Sequence, residues 1–428
     1  MRKNFLRDEA GAIAIVFALV FPVMVGALAL GAEAGFWYYT QRKLQHAADL
    51  AAHAGAVRLR AGDAKASITT AAQEVADRTI FGDDPNKKSN LTLNLLSSGG
   101  RESVEVILVE APQRMLSSLF ASGPVPIRGR AVASLQPLDS SVACVLALDP
   151  VASGAVTVSG SASVALRGCD IASNSNAADS YLQESSSTPV SAKCIYAVGG
   201  ASVGGPTNLE CGAVRQYASA TRDPYASHAA PTSTWPCVNF PNTARTLDAS
   251  LDGGHLVNGT WVIEYCPDFA NGIQLKGNYP IMPGLYIFNS NVRLSTANNQ
   301  SVADATLSGT GVTFYFKRGS GIVLGSTATL TLTAPTTGDY AGLLFFGARD
   351  ADATKEMAIT GHPESKLTGA IYFPAAPIEF RGNSSATNGC TQIIGRTVKF
   401  TGSSNIAAEC AGTGARNIST DVKVAITE

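Results

Sequence analysis

The chain has 428 residues, a formal net charge of −1 and only 15% charged residues. A chain without a basic excess has no electrostatic footprint for nucleic acid, so nucleic acid is excluded as an expected partner. The length allows one large core or two or three domains.

The first element is an uncharged apolar stretch, residues 10–32, interrupted only by Pro22. As a helix it is about 35 Å long, enough to cross a hydrocarbon layer of about 30 Å. A transmembrane helix is predicted, because a lone segment in lipid must satisfy its own backbone hydrogen bonds. The alternative is a cleaved signal peptide, whose apolar core is usually shorter, about 7–15 residues. The aromatic residues 36–39 that follow are typical of an interfacial belt.

Charge and cysteine placement predict the orientation. Residues 1–9 contain three basic residues, whereas Arg42 and Lys43 follow the apolar stretch, so the positive-inside bias places residues 1–9 in the cytoplasm. All eight cysteines lie between Cys144 and Cys410. An even number of cysteines in an exported segment favours disulfides. Both signals predict a short tail inside and a large domain outside.

Residues 33–59 are expected to continue the helix, and they are rich in alanine. Leu44, Ala48, Ala51 and Ala52 recur at helical spacing and form a candidate helix-pairing face, because small residues allow close approach. Two interpretations stay open. The face docks a similar helix of a partner protein, or the helix is a stalk covered by the chain's own downstream domain.

The rest of residues 33–139 predicts an α+β membrane-proximal unit. Its expected elements are a helix at 64–80, a β-hairpin from 91–95 and 104–109 around a turn at 97–100, a short helix at 113–120 and a strand at 125–135.

The beginning of the chain resembles the N-terminal region of TadE/TadG-like proteins of Flp (tight-adherence) pilus assembly. The residues that carry the resemblance are Arg7-Asp8-Glu9, Gly11-Ala12, Pro22, Glu33, Arg42-Lys43 and the helical run Leu44–Ala52. The resemblance implies a structural or assembly protein of the bacterial inner membrane, with residues 1–9 cytoplasmic and the bulk periplasmic. Its implied partners are other pilus-assembly proteins, in particular related minor components.

Many TadG-like proteins also carry a von Willebrand A domain with an Asp-x-Ser-x-Ser metal site. The nearest match here is residues 149–153, in which Val151 replaces the first required hydroxyl. This metal motif is therefore incomplete, and Asp149 is interpreted as part of a turn after a strand.

Residues 140–428 predict a mainly β domain. Apolar units begin at Gly284, Gly311, Gly342 and Gly369, in steps of 27, 31 and 27 residues, and most are followed by a second short strand. Self-similarity at such a period is typical of stacked coils and predicts a parallel β-helix, as in the tails of TadG-like relatives that this part resembles. A β-sandwich with irregular spacing is the alternative.

The eight cysteines allow 105 complete pairings, so the sequence alone does not fix their connectivity. Proximity favours Cys144–Cys169, Cys194–Cys211, Cys237–Cys266 and Cys390–Cys410. Each such loop would contribute about 3 kcal/mol in the loop-entropy model.

No catalytic constellation is found. Gly253-Gly254-His255 lacks a placed nucleophile, and the five scattered histidines lack ligand spacing beside a cysteine. No catalytic residue, cofactor or metal site is predicted, and the chain is interpreted as a non-enzyme. Two alternatives to a pilus-assembly role stay open: a surface adhesin or glycan-binding β-helix protein, and a β-helix carbohydrate-active enzyme.

Overall fold

The computed structural model divides into two compact units: unit 1, Met1–Gln136 with Val422–Glu428, and unit 2, Pro137–Asp421. The predicted cytoplasmic tip, residues 1–9, and the expected boundary at Asp139 lie outside the described residues. These are residues 10–60, 63–84, 86–98, 101–137, 142–160, 162–184, 189–241, 245–266, 273–275, 277–294, 305–324, 328–351, 357–360, 365–381, 384–386, 390–401, 404–407, 410, 412–420 and 422–427.

Unit 1 begins with two helices and three strands. They are α1 (Ala10–Arg60), α2 (Lys65–Phe81), β1 (Leu91–Ser98), β2 (Arg101–Glu110) and β3 (Ile127–Pro137). The expected hairpin is present, since β1 and β2 pair antiparallel with Ser98 opposite Arg101. The short helix expected at 113–120 is a single 3-10 turn, Leu116–Leu119, which we call the 3-10 turn.

Unit 2 consists of short strands joined by turns. In chain order they are β4 (Ala143–Ala147), β5 (Val156–Val158), β6 (Val164–Arg167), β7 (Asp170–Ser173), β8 (Tyr181–Gln183), β9 (Val190–Ala192), β10 (Ile195–Ala197), β11 (Ala201–Val203), β12 (Thr207–Leu209), β13 (His255–Val257), β14 (Thr260–Tyr265), β15 (Ile273–Gln274), β16 (Asn278–Ile281), β17 (Gly284–Phe288), β18 (Val292–Leu294), β19 (Thr306–Thr310), β20 (Val312–Phe316), β21 (Ile322–Leu324), β22 (Thr329–Thr333), β23 (Leu343–Gly347), β24 (Met357–Thr360), β25 (Lys366–Phe373), β26 (Ile378–Arg381), β27 (Ser384–Ala386), β28 (Thr391–Gly395), β29 (Val398–Phe400) and β30 (Ser404–Ala407).

The strand β31 (Val422–Ile426) lies beside β3 in a four-stranded sheet of order β1-β2-β3-β31. The amide of Thr427 donates to the carbonyl of Val132 at 2.8 Å. The sequence predicts one β-rich domain for all of residues 140–428. That prediction is wrong for β31, which completes the sheet of unit 1. In sequence, unit 2 is therefore inserted between β3 and β31, two strands that are neighbours in the sheet of unit 1.

The core of unit 1 forms where small residues bring α1 close to α2 and the sheet. Five alanines of α1 are buried together with Ile68 and Ala72 of α2 and Val104 of β2: Ala47, Ala48, Ala51, Ala52 and Ala56. Small side chains allow helices and strands to approach closely, so this face of α1 is the centre of the unit.

The strands of unit 2 form three main rows, and in much of the chain successive strands lie in different rows, as β4, β5 and β6 do. The first sheet has the order β10-β7-β4-β28-β25-β23-β20-β17-β14-β13, the second β11-β8-β5-β29-β26-β24-β21-β18-β15 and the third β12-β9-β6-β30-β27, while β16, β19 and β22 form a branch that joins β25. The predicted apolar units are the neighbouring strands β17, β20, β23 and β25. Among the described pairs of named strands in unit 2, only β13 and β14 run antiparallel.

The stacking order of the first sheet differs from the order of the chain. Its earliest strand, β4, is an interior strand that pairs with β7 on one side and with β28 on the other, where Val145 lies opposite Ile393. The chain therefore moves outward from β4 to β10, passes to the other end of the sheet between β12 and β13, and returns strand by strand to β4.

The first sheet is covered on both faces, which explains its runs of consecutive apolar residues. One face contributes Phe314 and Phe345, whose rings lie 5.7 Å apart, to the main core. The other face packs against residues outside the sheet, including Tyr225 and Ile418. Gly347 leaves room for the ring of Phe373 in the next strand, which a Cβ at residue 347 would overlap.

Candidate functional site

The most prominent exposed feature is the first half of α1. Among the described residues, α1 is the one helix long and apolar enough to cross a membrane, by length and composition, and its most apolar part is entirely exposed. Leu28 is 72% exposed, and Ile15, Phe17 and Val23 are similarly open. A signal sequence near the start of a chain passes the same test of length and composition, although its apolar core is usually shorter.

An aromatic band follows the apolar segment. Phe36, Tyr38 and Tyr39 are exposed, whereas Trp37 is partly buried against the core of unit 1. The guanidinium carbon of Arg42 lies 5.9 Å from the ring centre of Tyr38. Exposed aromatic rings beside basic side chains at the end of an apolar helix are typical of a membrane–water interface.

Glu33 marks the point where α1 enters unit 1. Its side chain is only 2% exposed. The amides of Met115 and Ser117 donate to its carboxylate at 2.8 and 2.7 Å, and the hydroxyl of Ser117 donates at 2.8 Å. A buried carboxylate needs such partners, and the first amides of the 3-10 turn have no partner within the turn. Glu33 therefore holds the 3-10 turn beside the end of the apolar segment.

A second polar contact holds α1 to the sheet three turns further on. The side-chain nitrogen of Gln45 donates to the carbonyl of Arg130 at 2.7 Å, and the amide of Arg130 donates back to Gln45 at 3.2 Å. Close approach is possible because residue 129 is glycine: a Cβ there would lie 2.6 Å from the carbonyl of Leu44. The Leu44-Gln45 pair of the TadG-like pattern thus contacts β3.

The candidate helix-pairing face is covered by the chain itself. Leu44, Ala48, Ala51 and Ala52 are all buried in the core of unit 1. This is the stalk arrangement, in which the helix is covered by its own downstream domain. The docking of a partner helix on this face is contradicted by that burial, because α2 and the sheet already occupy the space.

The structure contains four disulfides, in the pairs that proximity in sequence favoured, and no described cysteine is free. Their Cα atoms are 4.6–5.7 Å apart: Cys144–Cys169, Cys194–Cys211, Cys237–Cys266 and Cys390–Cys410. Their sequence separations are 25, 17, 29 and 20 residues, so each closes a loop about as long as one passage through the sheets of unit 2.

Asp149 forms a turn after β4, as the sequence predicted. Its carboxylate accepts hydrogen bonds from the amides of Val151 and Ala152 at 2.9 and 2.8 Å. Arg396, between β28 and β29, donates to the same carboxylate at 2.8 Å. Burial raises the pKa of Asp149, but these hydrogen bonds and the positive charge outweigh it, so the pKa lies below its usual value. The described residues contain no group of three side chains fit to hold a metal.

His255, which the sequence analysis examined as a possible catalytic residue, lies in β13 with its ring centre 4.5 Å from that of Trp235.

A polar cluster that the sequence analysis did not predict lies on the face of the first sheet that packs against Tyr225 and Ile418. Arg349 donates to the hydroxyl of Tyr372 at 2.6 Å, and this hydroxyl donates to Asp223 at 2.7 Å. Burial raises the pKa of Tyr372. The cluster attaches the connection between β12 and β13 to the sheet. Asp223 and Tyr372 are 149 positions apart in sequence, so no local pattern indicates their contact.

An exposed apolar helix that continues without a break into a packed α+β unit is the arrangement of a single-helix membrane-anchored protein. Residues 11–58 match the family model described as "Putative Flp pilus-assembly TadE/G-like". The matched range covers the apolar segment, Glu33 and the Leu44–Ala52 run, so the resemblance of the N-terminal region is confirmed. Comparison with curated proteins found no match, and comparison with solved structures found none.

Proposed function

We infer that this chain is a membrane-anchored, non-enzymatic component of a Flp (tight-adherence) pilus-assembly system. The observation that carries the inference is the family match over residues 11–58, which coincides with the continuous helix α1. One helix joins the exposed apolar segment to the core of unit 1, so the proposed anchor and the folded part are mechanically one element. Its partners are other components of the same assembly.

The proposed location of both units is the periplasm, with residues 1–9 in the cytoplasm and α1 in the inner membrane. The basic residues before the apolar segment support this orientation. Four disulfides support it independently, because disulfides persist in oxidising compartments.

The proposed architecture of unit 2 is a parallel β-helix. Its strands visit the first, second and third sheets in turn, as in β4, β5 and β6 and again in β7, β8 and β9. The four disulfides support the same architecture, because each closes a loop about as long as one passage of the chain through the three sheets. Such a domain is a rigid, extended scaffold, which fits a structural role better than a catalytic one.

The decisive experiment is complementation of a deletion strain. Pili are counted and co-purifying assembly proteins are identified for the wild-type chain and for two variants. In one, residues 1–32 are replaced by a cleavable signal peptide, so that both units are exported without an anchor. In the matched control, residues 10–32 are replaced by an unrelated single-span helix of equal length.

The wild type and the control are expected to restore pili, and the unanchored variant is not. Normal piliation in the deletion strain would refute the pilus role, and full rescue by the unanchored variant would refute the need for an anchor. Orientation is tested separately by single added cysteines at Lys3 and Thr70. A membrane-impermeant maleimide that reaches the periplasm should label T70C in unlysed cells and K3C only after lysis; the reverse pattern contradicts the proposed orientation.

A further inference from the structure

The segment around the 3-10 turn exposes an unusual amount of apolar surface. Leu119 and Phe120 are each 79% exposed, and Met115 and Leu116 are also exposed. We call residues 115–120 the apolar loop. Single exposed apolar residues are ordinary, but four within six consecutive residues form a patch that indicates an interaction surface.

The apolar loop has a defined position along α1. The Glu33 carboxylate binds the amides of Met115 and Ser117, and the side chain of a helical residue leans toward the helix N-terminus. The loop therefore lies level with the last turn of the apolar segment. It is also closed at its base, because the amide of Val125 donates to the carbonyl of Pro112 at 3.0 Å.

The surroundings of the loop have the chemistry of a membrane interface. Tyr38 and Tyr39 are exposed on the next turns of α1. The guanidinium carbon of Arg114 lies 5.7 Å from the ring centre of Trp37, and its Nε donates to the carbonyl of Gly123 at 3.1 Å. Apolar side chains, aromatic rings and a cation at one level match the boundary between acyl chains and headgroups.

We propose that the apolar loop is a second membrane contact, which inserts Met115, Leu116, Leu119 and Phe120 into the bilayer surface beside α1. The partner is the lipid bilayer itself, and the patch is continuous with the apolar segment of the proposed span. The inference rests on the proposed membrane anchoring of α1. Glu33 has a positioning role, since it fixes the loop at the depth where α1 leaves the lipid. Two contacts instead of one fix the rotation of unit 1 about the helix axis.

The experiment uses the full-length chain in lipid nanodiscs. All eight cysteines are in disulfides, so one added cysteine can be labelled with an environment-sensitive fluorophore. Three single variants are compared: Leu119→Cys in the apolar loop, Leu28→Cys in the apolar segment and Thr70→Cys on the exposed side of α2. Phe120→Cys repeats the loop measurement at a second position. Quenching is measured with lipids brominated near the headgroup and near the chain end.

The proposal predicts strong loss of fluorescence at Leu119 and Phe120 with lipids brominated near the headgroup, strong loss at Leu28, and none at Thr70. If Leu28 is quenched while both loop positions behave like Thr70, the loop proposal is overturned and the span survives. A loop that binds a protein partner instead of lipid would give this result, with quenching at Leu28 and none at the two loop positions. If Leu28 is not quenched, the span itself fails, and the loop proposal fails with it.

Discussion

A methyl group added at Gly129 should separate α1 from the sheet of unit 1. In Gly129→Ala, the new Cβ would lie 2.6 Å from the carbonyl carbon and oxygen of Leu44 and 2.9 Å from the amide nitrogen of Gln45. These are backbone atoms, which cannot rotate away. The strand β3 must therefore move outward, and the paired hydrogen bonds between Gln45 and Arg130 must lengthen or break.

The expected cost follows from overpacking, which destabilises by about 1–3 kcal/mol. A change of this size raises the opening equilibrium of the affected region roughly 5- to 150-fold. The affected region comprises residues 44–59 of α1 and 127–137 of β3, because these are the segments that the contact joins.

Hydrogen exchange measured by mass spectrometry on the full-length protein in nanodiscs reports this opening segment by segment. Gly35→Ala is the matched control, since a Cβ at Gly35 meets nothing within 4 Å. In a helix that substitution should be neutral or stabilising by up to about 1 kcal/mol. Unchanged protection of residues 44–59 and 127–137 in Gly129→Ala would show that the close approach is not a constraint.

Three further outcomes are expected in unit 2, each read from denaturant unfolding. Gly347→Ala should lower the free energy of unfolding by about 1–3 kcal/mol, because the new Cβ meets the ring of Phe373; adding Phe373→Leu should recover part of that loss, and a purely additive double variant would contradict the reasoning. Asp149 has a pKa below its usual value, so its stabilisation is present above the unfolded-state pKa of about 3.9 and disappears as the pH falls through the folded-state pKa. Asp149→Asn should accordingly be less stable than the wild type at pH 7 and converge with it in acid, whereas a pH-independent difference would argue against this linkage. Replacing Cys390 and Cys410 together by serine removes a 20-residue loop closure and should cost about 3 kcal/mol; an unshifted unfolding midpoint would refute it.

Features with a local signature were predictable from the sequence. The apolar stretch, the helix at 64–80 and the hairpin each show their own periodicity or turn residues within a few positions. The units at Gly284, Gly311, Gly342 and Gly369 are neighbouring strands because every passage presents the same apolar sequence to the same sheet.

Features set by contacts between distant segments were not predictable. Val145 lies opposite Ile393. Any apolar β-branched residue satisfies such a pairing, so the sequence does not indicate which strand lies beside β4. The position of β31 escaped detection for the same reason.

The candidate site was predicted in part. Glu33 is one of the residues that carry the TadE/TadG-like resemblance, but its partners Met115 and Ser117 lie more than 80 positions away. Backbone amides as partners have no residue-type signature. The Ala-rich face of α1 shows the same limit, because its spacing indicates close packing without indicating whether the partner is another chain or the chain itself.

Because β31 is the last strand of the chain to be synthesised, the sheet of unit 1 is completed only after unit 2 has been made. The ribosome releases β3 before any of unit 2, and residues 422–426 only after all of it. Until then β3 is an open edge, with backbone donors and acceptors available to any stray strand. A polypeptide that ended at Asp421 would keep β3 as an exposed edge strand, so closure of the sheet depends on the synthesis of β31.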